Sequence, residues 1–244
     1  MRAMTEACLV LVDYANIKWK NIDFRKLIVR ICESIDKKTD LFIMRLYGGW
    51  YYDEIVSEQR IEAIKEVDLW PKIIRIGNRV IRIKYIFSDS LIDFNGDERG
   101  KIRRTYIERK AKVKGIKVKS DNELTSCKKA SCSLRITHKW LSSLKACVHK
   151  DCEKRFNEIF VRYEQKQVDT HMLCDFLVSL KKESYSKILL MSSDVDFMPG
   201  IQTAVLSGFS EKIGLIVAKK MSDYQASYIE TNNITLISNE NGEF

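Results

Sequence analysis

The chain has 244 residues, 45% of them hydrophobic and only two of them proline, which reads as a globular rather than a disordered chain and suits one generous α/β domain or a domain with an insertion. Its 42 Lys and Arg against 33 Asp and Glu leave a formal charge of +9, pointing to a polyanionic partner, most simply a nucleic acid. A membrane is the weaker reading of that charge, because no apolar run reaches spanning length and no basic amphipathic helix with a broad aromatic face is evident.

The first strand is expected over "ACLVLV", residues 7–12, a continuous apolar run of the kind buried on both faces of a sheet. The run is too short for a signal peptide and is followed by an aspartate, so a cytoplasmic location is expected. Asp23 can cap a helix in which Phe24, Leu27, Ile28, Ile31 and Ile35 recur at helical spacing. "LFIMRLYGGW" (41–50) reads as a second strand ending in glycines, and Ile55 to Leu69 as a second helix stopped by Pro71. "KIIRIG" and "VIRIKYIF" alternate apolar and basic residues around Gly77-Asn78, a hairpin with one charged face.

From Asp97 to about Arg155 the character changes, and then the alternation resumes. "IFVRY" reads as a strand, 169–182 as a helix, "KILLMSS" as a strand, the segment after Pro199 as a helix, and "KIGLIVA" and "ITLIS" as strands. Such alternation implies a mostly parallel sheet covered on both faces. The expected organisation is one α/β domain formed by residues 1–95 and 156–244, interrupted by a basic insertion over 96–155.

In open parallel sheets ligands bind beyond the carboxyl ends of the strands. Asp13 ends the first strand, Asp169 lies at a junction into a helix, and Asp194 and Asp196 end the strand in "LLMSSDVDF". A lone aspartate at a strand end is more often a cap or turn former than a catalyst. Three such groups at predicted strand ends reverse those odds. Carboxylates brought together repel one another, and Mg²⁺ or Mn²⁺ relieves that conflict because hard divalent cations prefer oxygen ligands. A metal-held water attacking a phosphodiester is the chemistry such a cluster suits.

"LVDYANI" (11–17), "QKQVDTHMLCDFL" (165–177) and "LLMSSDVDFMPGI" (189–201) occur in this order. Together they resemble the three motifs of NYN domains in the PIN-like nuclease superfamily: apolar-Asp-Gly-x-Asn, Lys-x-Val-Asp, and Ser-Gly-Asp-x-Asp-Phe-x-Pro. The likeness covers roughly residues 7–95 and 156–240. It implies a PIN-like sheet flanked by helices and metal-dependent ribonuclease action through Asp13, Asp169, Asp194 and Asp196, with Asn16 organising the site. Tyr14 and Ser193 stand where the family usually has glycine, and either change narrows the expected substrate channel without removing a carboxylate. Asp175 lies about 600° around a helix from Asp169, so it does not share that face and is read as a supporting or structural residue. Lys166 is either a phosphate contact or an ordinary solvated lysine. His171 has no partner in the sequence and is not assigned.

The tract 99–119 carries ten Lys and Arg against one Glu, more than solubility needs. Arg99, Lys101, Arg103, Arg104, Arg109, Lys110, Lys112 and Lys114 are read as contacts to a nucleic-acid backbone, which give affinity and salt dependence but little sequence selectivity. Tyr106 adds one aromatic for base stacking. Cys127 with Cys132, and Cys147 with Cys152, form two equal C-x₄-C pairs, a candidate four-thiolate structural Zn²⁺ site. His138 and His149 are alternative ligands, and ordinary free thiols are the competing reading. A straight helix between the pairs would hold them about 20 Å apart, so a single ion needs the spacer to fold back. Cys8, Cys32 and Cys174 lie in apolar segments and are expected in the core. The sequence contains no G-x-x-x-x-G-K-[ST], no G-x-G-x-x-G and no H-E-x-x-H motif.

The expectation is therefore a Mg²⁺- or Mn²⁺-dependent nuclease acting on RNA, with DNA as substrate, a homo-oligomer and a protein partner all left open. The alternative is a nucleic-acid-binding or protein-interaction module of the same fold with little catalysis.

Overall fold

The computed structural model describes residues 6–17, 19, 22–35, 39–94, 101–110, 129, 131–133, 152, 161–192, 194–217 and 221–238. The chain divides into two compact units, residues 1–106 with 165–244, and residues 107–164. The first unit is α/β, with a mostly parallel sheet flanked by helices. Among the described residues no helix is long and apolar enough to cross a membrane.

Strand β1 (Ala7–Asp13) is buried at every residue and lies in the middle of the seven-stranded sheet. The chain then forms α1 (Phe24–Ser34) and β2 (Leu41–Tyr47), and β2 pairs parallel with β1. A small excursion follows: β3 (Tyr51–Tyr52), β4 (Ile55–Val56) and α2 (Glu58–Asp68). Next come β5 (Ile73–Ile76) and β6 (Arg79–Phe87), an antiparallel pair whose β6 runs parallel to β2. Two short strands, β7 (Tyr106–Lys110) and β8 (Val161–Gln165), straddle the boundaries of the second unit. The chain resumes with α3 (Val168–Ser179), β9 (Tyr185–Met191), α4 (Met198–Leu206), β10 (Ile213–Val217), α5 (Asp223–Thr231) and β11 (Thr235–Ser238). The large sheet has the order β11-β10-β9-β1-β2-β6-β5, parallel except for β5.

The chain leaves β1 toward β2 and β6, then crosses back to the other side of β1 through β9. The gap between the carboxyl ends of β1 and β9 is thus the topological switch point of a doubly wound sheet, where such folds bind ligands.

Period-two alternation divides β1 between two cores. Cys8, Val10 and Val12 pack with Leu27, Ile28 and Ile31 of α1, while Leu9 and Leu11 pack with Met172 and Phe176 of α3 and Ile201 of α4. Each fully buried aliphatic side chain contributes roughly 1.5–3 kcal/mol. Helix α1 starts where expected, Asp23 accepting from the Lys26 N–H at 3.2 Å. Helix α2 starts later than its apolar residues imply. Ser57 caps it, accepting from the Arg60 N–H, so Ile55 and Val56 are left to pair with Tyr52 and Tyr51 as β4. The strand expected at 159–163 is β8, which is not part of the large sheet. Gly77, at φ 57°, makes the β5–β6 turn.

Asp175 lies fully inside the fold, with 0% of its surface exposed. It accepts from Arg45 Nε at 2.9 Å, Tyr47 Oη at 2.6 Å and the Ile92 N–H at 2.7 Å, and His171 Nε2 stands 3.4 Å away. His171 Nε2 also faces Ser88 Oγ at 3.1 Å and the Ser90 carbonyl at 2.9 Å, and Arg45 donates to that same carbonyl. This network fastens α3 to β2 and to the segment 88–94 after β6, so Asp175 is structural. Burial alone would raise its pKa, but hydrogen bonds from His171 and Tyr47, the charge of Arg45 and the Ile92 N–H together hold it below the ordinary value.

Asp175→Asn leaves the Arg45 guanidinium buried without its counter-charge and is expected to cost about 3 kcal/mol at pH 7 in denaturant unfolding. Because the folded pKa is depressed, the stabilisation is fully present above the unfolded value of about 3.9 and is lost as pH falls through the lower folded value. The gap between wild type and variant is therefore expected to persist from neutral pH down to about 4 and to close below it.

Candidate active site

Asp13 closes β1 at the switch point and is 1% exposed. Its Oδ2 accepts from Asn16 Nδ2 at 2.5 Å and from Ser192 Oγ at 3.0 Å. Asn16 reaches it because residues 14–16 turn as one 3₁₀ loop directly after the strand. Ser192 follows β9, and its hydroxyl also accepts from the Asp194 N–H at 3.1 Å. Asp194 Oδ1 in turn accepts from the Asp196 N–H at 3.0 Å, capping the short turn 195–197 that leads into α4. A hydrogen-bonded relay thus runs Asn16–Asp13–Ser192–Asp194–Asp196 across the ends of β1 and β9.

Asp169 comes from the first turn of α3. The residue before that helix, Gln167, has a left-handed φ of 65° and makes no side-chain cap, and Asp169 itself is exposed. Left-handed backbone at a non-glycine residue is a local strain found often at functional sites.

The electrostatics link the carboxylates. Burial raises the pKa of Asp13, the hydrogen bonds from Asn16 and Ser192 partly oppose that, and the charge of Asp169 raises it further. Asp169, though its surface is exposed, is partly desolvated by its surroundings, which raises its pKa, and the charges of Asp194 and Asp196 raise it further. An aspartate in the first turn of a helix ordinarily gains from the helix dipole. Here repulsion and desolvation outweigh that gain. The donor set is all oxygen and net anionic, which suits a hard divalent cation rather than a thiolate metal. In the present rotamers, no three His, Cys, Asp or Glu side chains among the described residues are arranged to hold one ion.

Behind Asp13 lies an aromatic cluster. The ring of Tyr14 is 5.2 Å from Trp19 and 5.3 Å from Trp50, and Phe24 is 4.2 Å from Trp70. Tyr14 Oη donates to Glu66 Oε2 at 2.5 Å, tying the turn after β1 to α2. The expectation that Tyr14 narrows a substrate channel is therefore wrong. The side chain is 7% exposed and points into the core, because a bulky ring after a buried strand gains more from packing than from solvent. Ser193 lies outside the described residues.

The sequence reading did not single out Ser192, the link between the two strand ends. The signal was a hydroxyl two residues before an aspartate, a pattern that favours local side-chain-to-backbone bonding. A cavity of about 40 Å³ adjoins Asp194, lined by Ser192, Phe197, Met198, Met221 and Gln225 among others. It has room for water and not for a base.

Arg103 pairs with Glu54 at 2.7 Å and Arg104 with Asp53 at 2.8 Å, exposed bridges of the kind that contribute about 0–1 kcal/mol. Lys101 is exposed, and Lys166 is partly buried with its N–H bonded to the Thr105 carbonyl. Of Arg109 and Lys110 only the backbone, in β7, is described. Arg99, Lys112, Lys114, Cys127, Cys147, His138 and His149 lie outside the described residues. Cys132 and Cys152 are partly exposed. Cys8 and Cys32 are core residues, and burial pushes the Cys32 thiol up to about 11. Cys174 is not a core residue: it lies on the exposed side of α3, whose buried side carries His171, Met172, Asp175 and Phe176.

Family models, curated proteins and solved structures were compared with the chain, and none matches it significantly.

Asp169→Asn removes a repelled charge and is expected to raise the thermal midpoint at pH 7. A pKa raised in the folded state means that stability declines as pH rises through it. The gain is therefore expected to vanish in calorimetric scans below about pH 4, where Asp169 is protonated in both states.

Proposed function

We propose that the chain is a PIN-like, metal-dependent nuclease acting on RNA. The observation that carries this reading is the linked set of carboxylates, Asp13, Asp169, Asp194 and Asp196, at the switch point of a parallel sheet in a chain of charge +9. A binding module has no reason to concentrate anions beside a phosphate site, since each one repels the ligand.

The four aspartates would hold Mg²⁺ or Mn²⁺, which when bound offsets their repulsion and stabilises charge developing on a phosphodiester. Asn16 and Ser192 keep the Asp13 carboxylate in one orientation by donating to Oδ2. Ser192 also sets the Asp194 backbone, and Asp194 sets that of Asp196, so the two strand ends keep a fixed relation. Asp169 and Asp196 are exposed, so their carboxylates would reach a cation without breaking a core contact. Arg103 and Arg104 can exchange their exposed carboxylate partners for phosphate oxygens at little cost. The same contacts serve DNA, because none of these groups selects a 2′-hydroxyl.

Mn²⁺-dependent cleavage of labelled single-stranded and structured RNA is expected, abolished by EDTA. Asp13→Asn and Asp194→Asn are each expected to reduce it at least 100-fold, and Asn16→Ala, which acts through Asp13, about 10–100-fold. Binding without cleavage of any RNA or DNA by the wild type would replace the nuclease with a binding module.

A structural Zn²⁺ at Cys127, Cys132, Cys147 and Cys152 is part of the proposal. Metal analysis of the purified protein is expected to find about one zinc per chain. A zinc-free preparation that keeps its fold would remove that site.

A further inference from the structure

The β5–β6 hairpin turns one face toward the core and the other toward solvent. Ile74, Ile81 and Ile83 are buried, whereas Ile73, Arg75, Val80, Arg82 and Lys84 are exposed. Ile73 lies opposite Arg82 and Arg75 opposite Val80, so Arg75 and Arg82 are diagonal neighbours on the same face. Lys84 follows Arg82 on the same side of β6. Diagonal and next-but-one positions on a sheet are about 7 Å apart, which sets the three cations in a row about 14 Å long.

Among the described residues none of the three meets a carboxylate. Arg79, at the turn of the same hairpin, is satisfied by contrast: it pairs with Asp40 at 3.0 Å and donates to the Thr39 carbonyl. Neighbouring like charges on a sheet are destabilising, so a row without counter-charge is a cost that folding alone does not explain. Charges are also placed on edge strands to prevent pairing with other chains. That accounts for Arg75 on β5, but Arg82 is paired on both sides, to Ile73 of β5 and Leu41 of β2, and Lys84 continues the row beyond the end of β5.

We propose that this row binds the phosphodiester backbone of a nucleic acid, as a docking surface apart from the carboxylate site. A flat strip of evenly spaced cations with aliphatic Ile73 and Val80 between them suits a flexible polyanion better than a compact anion. Through the register, Lys84 is level with Ile43 and Leu9, four residues before Asp13. That is about 13 Å along the strands and about 10 Å across two of them, so one nucleic-acid strand can engage both places only by spanning that distance. The surface does not depend on the nuclease reading, because binding to it is measured with cleavage suppressed.

The test uses the full chain in EDTA and the fluorescence anisotropy of an end-labelled 20-nucleotide oligouridylate. Arg75→Gln/Arg82→Gln/Lys84→Gln is compared with a charge-matched control, Arg25→Gln/Lys65→Gln/Lys181→Gln, at exposed sites elsewhere. The row variant is expected to bind about tenfold more weakly, with the slope of log affinity against log salt reduced by about 2, roughly 0.7 for each phosphate no longer neutralised. An equal weakening on oligothymidylate is expected, since the row meets the backbone, and the control is expected to change affinity much less. Circular dichroism and melting curves confirm that both variants fold. Equal weakening in row and control variants, or unchanged RNA affinity in the row variant, would overturn the proposal. So would unchanged RNA affinity accompanied by new self-association, or by failure to bind phosphatidylserine vesicles that the wild type binds. Those two outcomes assign the row to edge protection or to a membrane surface.

Discussion

Strand β1 lies between helices on both faces, and a strand so placed has nowhere to carry charge except at its ends. Leu9, Leu11, Val10 and Val12 are 0% exposed, and Asp13, the next residue, must be solvated by the protein itself. Asn16 and Ser192 do so from two sides of the switch point. The parallel topology requires a crossover between successive strands, the crossovers place helices on both faces, and only the strand ends remain open to ligand. The location of the candidate site is thus a consequence of how β1 is buried.

Two aspartates on neighbouring turns of one helix show how environment divides identical chemistry. Asp175 is surrounded by donors and a guanidinium, and its pKa is held down. Asp169, six residues earlier, is pushed up by desolvation and then by the charges of Asp194 and Asp196. The first arrangement stabilises the fold as a satisfied buried ion pair; the second costs stability. Unrelieved repulsion of this kind is a physical mark of a site, because structural carboxylates are ordinarily paired.

Positive charge is also divided by its surroundings. Arg45 and Arg60 are committed internally, Arg45 to Asp175 and Arg60 to Asp89 through two bonds of 2.5 and 2.8 Å. Arg103 and Arg104 hold exposed acidic partners that cost little to exchange. Arg75, Arg82 and Lys84 pair with no described acid. A net charge of +9 therefore states only that a polyanion is attracted. Which cations remain available depends on pairing.

Much of the architecture was legible in the residues, because burial on two faces writes long apolar runs and caps write helix starts. β1, the Asp23 cap, the Gly77 turn and the mostly parallel sheet all follow from local pattern. The start of α2 did not, since Ile55 and Val56 fit either period and Ser57 decided between them. The positions of Asp13, Asp169, Asp194 and Asp196 at strand or helix junctions could be read from the chain. Their mutual repulsion, the bridging role of Ser192, the inward turn of Tyr14 and the exposure of Cys174 could not. Periodicity and capping are properties of neighbours along the chain, so sequence alone determined the elements. Partners more than a hundred residues apart, such as Asp13 with Ser192 and Arg45 with Asp175, meet only when the sheet closes. Tertiary structure therefore decided which of the described charges are paired.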